Sequence, residues 1–175
     1  MKGIIRLSIW CCLSLLAAVP ATKAQESGRI QAIATVVSSL RVTPMNNLNF
    51  GTVLPGIGKS VDKTDVGFAG EWSVTGTVSA EITIDFTLPA YLYTADSSAT
   101  LMTWFSPIDA SYEDGTGGGQ TAPAGILNPN GPSAREIGAD GTITIWIGGT
   151  VLPTISQTGG DYSGDIVLTV AYTGA

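Results

Sequence analysis

Five aromatic residues, Tyr91, Tyr93, Trp104, Phe105 and Tyr112, fall in one stretch of the chain. They could line a sugar-binding surface, because aromatic ring faces stack on the apolar faces of sugars. Packing in a core or along a sheet edge would use the same residues. Overlapping the end of that stretch are Asp109, Glu113 and Asp114, followed by the carbonyls of Gly115 and Thr116. Oxygen ligands of this kind suit calcium, a hard cation, although the string does not match a twelve-residue EF-hand loop. The same acids, or Asp161 with Asp165, could supply the paired carboxylates of a glycosidase. One member of such a pair needs a raised pKa, and that takes burial or a close like charge. Solvated loop acids are the simpler expectation. The run Gly115-Thr116-Gly117-Gly118-Gly119-Gln120 lacks the lysine and the strand-to-helix setting of a phosphate loop, so it reads as a flexible turn.

Composition removes most other chemistry. The chain has no histidine, and its two cysteines, Cys11 and Cys12, are adjacent near the start. Imidazole or thiolate zinc sites, cysteine nucleophiles and Ser-His-Asp relays are therefore not expected. No enzyme and no resident cofactor are expected, with calcium the one candidate ion. Export is the next expectation. Lys2 and Arg6 precede an apolar run from Leu7 to Val19, and Thr22 and Ala24 supply small residues for cleavage. Residues 1–24 thus read as a signal peptide that is removed. The apolar run is too short to span a bilayer comfortably, and no membrane span is expected elsewhere. Residues 25–175 then form one domain placed in the periplasm, on the cell surface or outside the cell. Without Lys2, Arg6 and Lys23, five basic residues face fourteen acidic ones, a net charge of −9. Such a surface repels nucleic acid phosphates.

The elements that must position these residues are strands. With 22 glycines and 13% charged residues, short strands joined by glycine-rich turns fit better than helices. Ile82, Ile84, Phe86 and Leu88 alternate with Glu81, Thr83, Asp85 and Thr87, a period of two that marks a half-buried strand. Pro89 should end it. Trp72 and Val74 share a face of the preceding strand. Ile143, Ile145 and Ile147 share another, which leaves Trp146 on the far side in need of a cover. Ile166, Leu168, Val170 and Tyr172 should face inward together. One or two strands are expected between Ile30 and Thr43, then a turn at Met45-Asn46-Asn47 and a loop from Val53 to Gly58. Short strands are expected around 110–112 and 134–137. The fold class is all-β, a sandwich of two antiparallel sheets.

Three segments resemble the DUF4402 family of exported, Ig-like β-sandwich proteins, similar in style to archaic chaperone–usher pilins. They are Ala32-Ile33-Ala34-Thr35-Val36 with Leu40-Arg41-Val42-Thr43 and Leu48-Asn49-Phe50-Gly51-Thr52-Val53, then Gly141 to Thr150, then Gly160 to Tyr172. The resemblance implies an Ig-like, pilin-like sandwich in an envelope or surface protein, a fibre subunit among the options. The expected function is a structural or adhesive surface module, a fimbrial subunit assembling by strand exchange. Ile30, Ala32, Ala34 and Val36 would form the donated strand, with further copies or envelope and fibre proteins as partners. The same strand could instead pair within its own domain. The alternative function is a non-catalytic carbohydrate- or calcium-binding sandwich.

Overall fold

Alternating isoleucines supply much of the core of this chain, a computed structural model of which describes residues 31, 36 and 39–174. The fold lies in the unit Val36–Ala175. Strands β1 to β6 run Arg41–Asn46, Lys59–Val61, Gly70–Thr75, Glu81–Thr87, Tyr91–Tyr93 and Thr100–Trp104. Strands β7 to β12 run Ala110–Glu113, Gly125–Leu127, Ser133–Glu136, Thr142–Ile147, Gly149–Leu152 and Val167–Tyr172. No helix forms among the described residues, so none is long and apolar enough to cross a membrane.

All strand pairs are antiparallel, and they form three sheets. The orders are β1-β3-β10-β7-β8, β2-β11-β6-β5 and β12-β4-β9. The main core lies between the five-stranded and three-stranded sheets. Val74, Ile143, Ile145 and Ile147 from one meet Ile82, Ile84, Phe86 and Leu168 from the other. Period-two alternation explains why all eight point the same way, towards the space between the layers. Trp72 and Phe86 close an edge of that space, ring centroids 6.1 Å apart at 67°. At another edge the Arg135 guanidinium of β9 lies 4.9 Å over the Tyr112 ring of β7, and its Nη2 donates to the Ile126 carbonyl of β8 at 3.2 Å.

Two continuous stretches of chain carry strands into the third, four-stranded sheet. β4 passes through Leu88-Pro89-Ala90 into β5, where the Thr103 N–H donates to the Ala90 carbonyl at 3.0 Å and the Thr103 hydroxyl donates to the Pro89 carbonyl. β10 passes through Gly148 into β11. A Cβ on Gly148 would collide with the Val61 carbonyl and lie 2.7 Å from the Lys63 nitrogen. Only glycine lets the backbones approach this closely.

Several local expectations change. β1 continues through Pro44 to Asn46, with the register slipping between those two residues, where a turn was expected. It is an edge strand, where proline is tolerated, and its register slips just after Pro44. The strands Lys59–Val61 and Gly125–Leu127 arise where no strand was expected. The segment expected to be a strand from Ile30 to Val37, with Ile30, Ala32 and Ala34, lies outside the described residues except for Gln31 and Val36. Val36 is 92% exposed and belongs to no strand. The expected signal peptide, 1–24, also lies outside them. Trp146 is indeed buried on the face away from the isoleucines, directly opposite Ser111 of β7. Neither Trp146 Nε1 nor Ser111 Oγ finds a hydrogen-bond partner there.

Candidate functional site

The four-stranded sheet has one buried and one open face, and its register decides which side chains meet on each. On β5 and β6, Leu92, Leu101 and Thr103 turn inward, while Tyr91, Tyr93, Thr100, Met102 and Trp104 turn outward. On β11, Val151 turns inward, and Thr150 and Leu152 turn outward. Tyr91, Met102 and Leu152 stand side by side in one row across three strands. Trp104, Thr150 and Ser60 form the next row, where Ser60 Oγ and Thr150 Oγ1 are 2.8 Å apart. Tyr93 and Thr100 form the third. No charged residue stands in these rows.

The five aromatic residues singled out by their proximity in sequence therefore do not share one surface. Tyr91, Tyr93 and Trp104 do. Phe105, next to Trp104, is 9% exposed and packs in the core on the opposite face, as alternation requires. Tyr112 lies in the five-stranded sheet under Arg135. Met102 and Leu152 take the vacant places, and the alternation of Leu101, Met102, Thr103, Trp104 and Phe105 carried the signal for this sorting.

The acidic residues are engaged locally. Asp109 accepts from the Ser106 N–H at 2.8 Å and the Ser106 hydroxyl at 2.6 Å. Asp114 accepts from the Thr116 N–H at 3.1 Å and its hydroxyl at 2.5 Å. Glu113 accepts from the amides of Gly115, Gly117 and Gly119 at 2.7, 2.8 and 3.2 Å. These bonds, that from Gly117 foremost, hold its pKa below the ordinary value. The glycine-rich run is thus an amide cradle for a carboxylate of its own chain, with Gly115 and Gly119 at φ of 92° and 82°. Among the described residues no group of three or more acidic side chains converges, and the calcium candidates Asp109, Glu113 and Asp114 each accept bonds from their own segment. Asp161 and Asp165 stand exposed on the rim of a cleft.

That cleft, about 950 Å³, runs beneath the inward face of the four-stranded sheet. Leu92, Leu101, Phe105 and Val151 form one wall, and Leu48 and Phe50 contribute to the other. The segment 157–163 borders it and is pinned in place. Tyr93 and Ser163 exchange backbone bonds of 2.8 and 2.9 Å, and Gln157 Nε2 donates to the Thr100 carbonyl and to the Tyr162 hydroxyl, both at 2.8 Å.

A family model described as "Domain of unknown function (DUF4402)" matches residues 40–172, from the residue before β1 to the end of β12. No curated protein matches the chain.

Proposed function

The chain belongs to the DUF4402 family, and from this premise we propose that it is an exported, non-catalytic structural or adhesive module that assembles with further subunits by strand insertion. The cleft is the observation that carries the reading. A sandwich ordinarily fills the space between its layers to near crystal density. Here a cleft of mixed polar and apolar lining stays open beside the half-buried Leu48, Phe50 and Leu92, with Leu101 and Val151 closed behind it. An extended segment places every second side chain on one face, so a donated strand can fill such a cleft while its backbone pairs along an edge. Ile30, Ala32, Ala34 and Val36 have that spacing and precede β1. Val36 itself is 92% exposed, so none of the described residues covers its apolar side chain.

The local bonds of three carboxylates bear on one chemical role, that of general acid. Every carboxylate with an altered acidity, Asp62, Asp96 and Glu113, is shifted downward among the described residues. A general acid needs the opposite shift. Export is supported by the sequence pattern of residues 1–24, two basic residues before an apolar run and small residues at 22 and 24. The test compares the chain beginning at Gln25 with one beginning at Ser38 by size-exclusion chromatography and circular dichroism. Strand insertion predicts ladders for the longer form, and a folded monomer for the shorter form that rebinds a synthetic Ile30–Val37 peptide. A longer form that is purely monomeric, or a shorter form that unfolds, rejects the mechanism.

A further inference from the structure

The outward face of the four-stranded sheet is separate from the cleft, since the two use opposite sides of the same strands. Its side chains are unusually bare for their type: Tyr91 42%, Tyr93 45%, Met102 47%, Trp104 53% and Leu152 42% exposed. Large apolar groups exposed singly need no explanation, but these are held next to one another by strand register. Hydroxyls flank them, from Ser60, Thr100 and Thr150 as well as from the two tyrosines themselves. The face carries no charge, on a chain whose net charge is −6.

Size separates the classes of partner. Three interstrand gaps of about 4.8 Å and two row spacings of about 6.8 Å give a platform of about 14 by 14 Å, or about 200 Å² in projection. A stable protein partner needs about 800 Å² on each side. The platform falls far short of that, whereas a few pyranose rings laid end to end would cover it. Sugars also match its chemistry. Their axial C–H groups carry a slight positive charge and settle on the negative faces of aromatic rings. Their equatorial hydroxyls can reach the Ser, Thr and Tyr oxygens at the margin. An open sheet face, not a concave pocket, favours an extended, ribbon-like chain over a coiled one, and a neutral face gives no grip to an anionic one.

We infer that this face binds a neutral, β-1,4-linked glycan, with Trp104 and Tyr91 as stacking platforms. The inference does not depend on strand insertion, and its experiment reads a different surface. Isothermal calorimetry of the chain with cellohexaose and with chitohexaose should detect binding to at least one, and oligogalacturonate should give no heat. Trp104→Ala should weaken binding about tenfold or more and Tyr91→Ala by a factor of about five, as loss of an aromatic contact implies. Trp104→Phe should keep the affinity within about threefold, since a ring remains. Val167→Ala, at an exposed site on β12, should leave it unchanged. The parent's tryptophan emission should shift on binding, and the shift should vanish in Trp104→Phe. Circular dichroism of each variant confirms folding. Absence of heat with both neutral hexaoses overturns the inference. So does undiminished binding in folded Trp104→Ala and Tyr91→Ala. A monomer–dimer equilibrium abolished by Trp104→Ala would assign the face to self-association and overturn it as well.

Discussion

Replacing Leu168 by alanine tests the packing of the terminal strand. Leu168 is buried against the core and stands opposite Phe86 of β4, whereas Thr169, the next residue, is exposed opposite Asp85. The change removes three carbons, worth about 2.4 kcal/mol at about 0.8 kcal/mol each. The residual exposure of 9% trims this to about 2.2 kcal/mol. If about 40 Å³ of the space stays unfilled, the cavity adds about 1 kcal/mol. The total is about 3 kcal/mol, a large part of the 5–15 kcal/mol, roughly, that holds such a domain together. Thr169→Ala removes no buried contact and should lose about 0.5 kcal/mol, mostly strand preference. In urea, with a slope of about 2 kcal/mol/M, the two midpoints should separate by more than about 1 M. Equal midpoint losses, or a larger loss for Thr169→Ala, would place β12 with its other face inward and refute the packing described above.

Ser111→Ala should be neutral or stabilising by up to about 1 kcal/mol in the same melts, because the buried Oγ has no partner to lose; a loss above that size would mean the hydroxyl is bonded. The Glu113 carboxylate, its pKa held down mainly by the Gly117 amide, contributes stability that is fully present above its unfolded pKa. That contribution fades as pH falls through the folded value, so an NMR titration of the Gly117 amide should have its midpoint below the ordinary glutamate range, and a midpoint within or above that range would contradict the cradle. At the β5–β6 hairpin tip, bonds from Thr94 and Ser98 lower the Asp96 pKa to about 2, so the hairpin should keep its amide shifts on acidification to about pH 3.

The strands with the cleanest alternation were legible from sequence. Ile82-Ile84-Phe86 and Ile143-Ile145-Ile147 are buried as a period of two demands. The need for a cover over Trp146 followed from the same count. Lys59-Ser60-Val61 and Gly125-Ile126-Leu127 were not legible, because three residues are too few to show a period. Their pairing depends on β11 and β7, which are remote in sequence. Pro44 misled in a different way: proline forbids a central strand but not an edge, and position within a sheet is a tertiary property. For the binding face, Trp104 and Tyr91 could be nominated by type. Leu152 could not, since it reaches Met102 only through the register of β11 on β6. Asp109 and Asp114 were legible as loop acids, whereas Glu113 closes β7 and its cradle depended on the path of the glycine backbone.

The passage of β10 through Gly148 into β11 has a mechanical consequence. Each of the two strands is central in its sheet, flanked by β3 and β7 on one side of the joint and by β2 and β6 on the other. Tension applied to the outward face of β11 would run straight along the chain into β10. Antiparallel ladder bonds lie across the strand direction, so such a pull loads them in shear, many at once, and does not peel them apart one by one. Gly148 is the splice in this line. Its amide donates to the Asp109 carbonyl at 2.7 Å, and the backbone of Val61 and Lys63 crowds its other side. A domain built this way would hold an anchored load on the strands least able to slip.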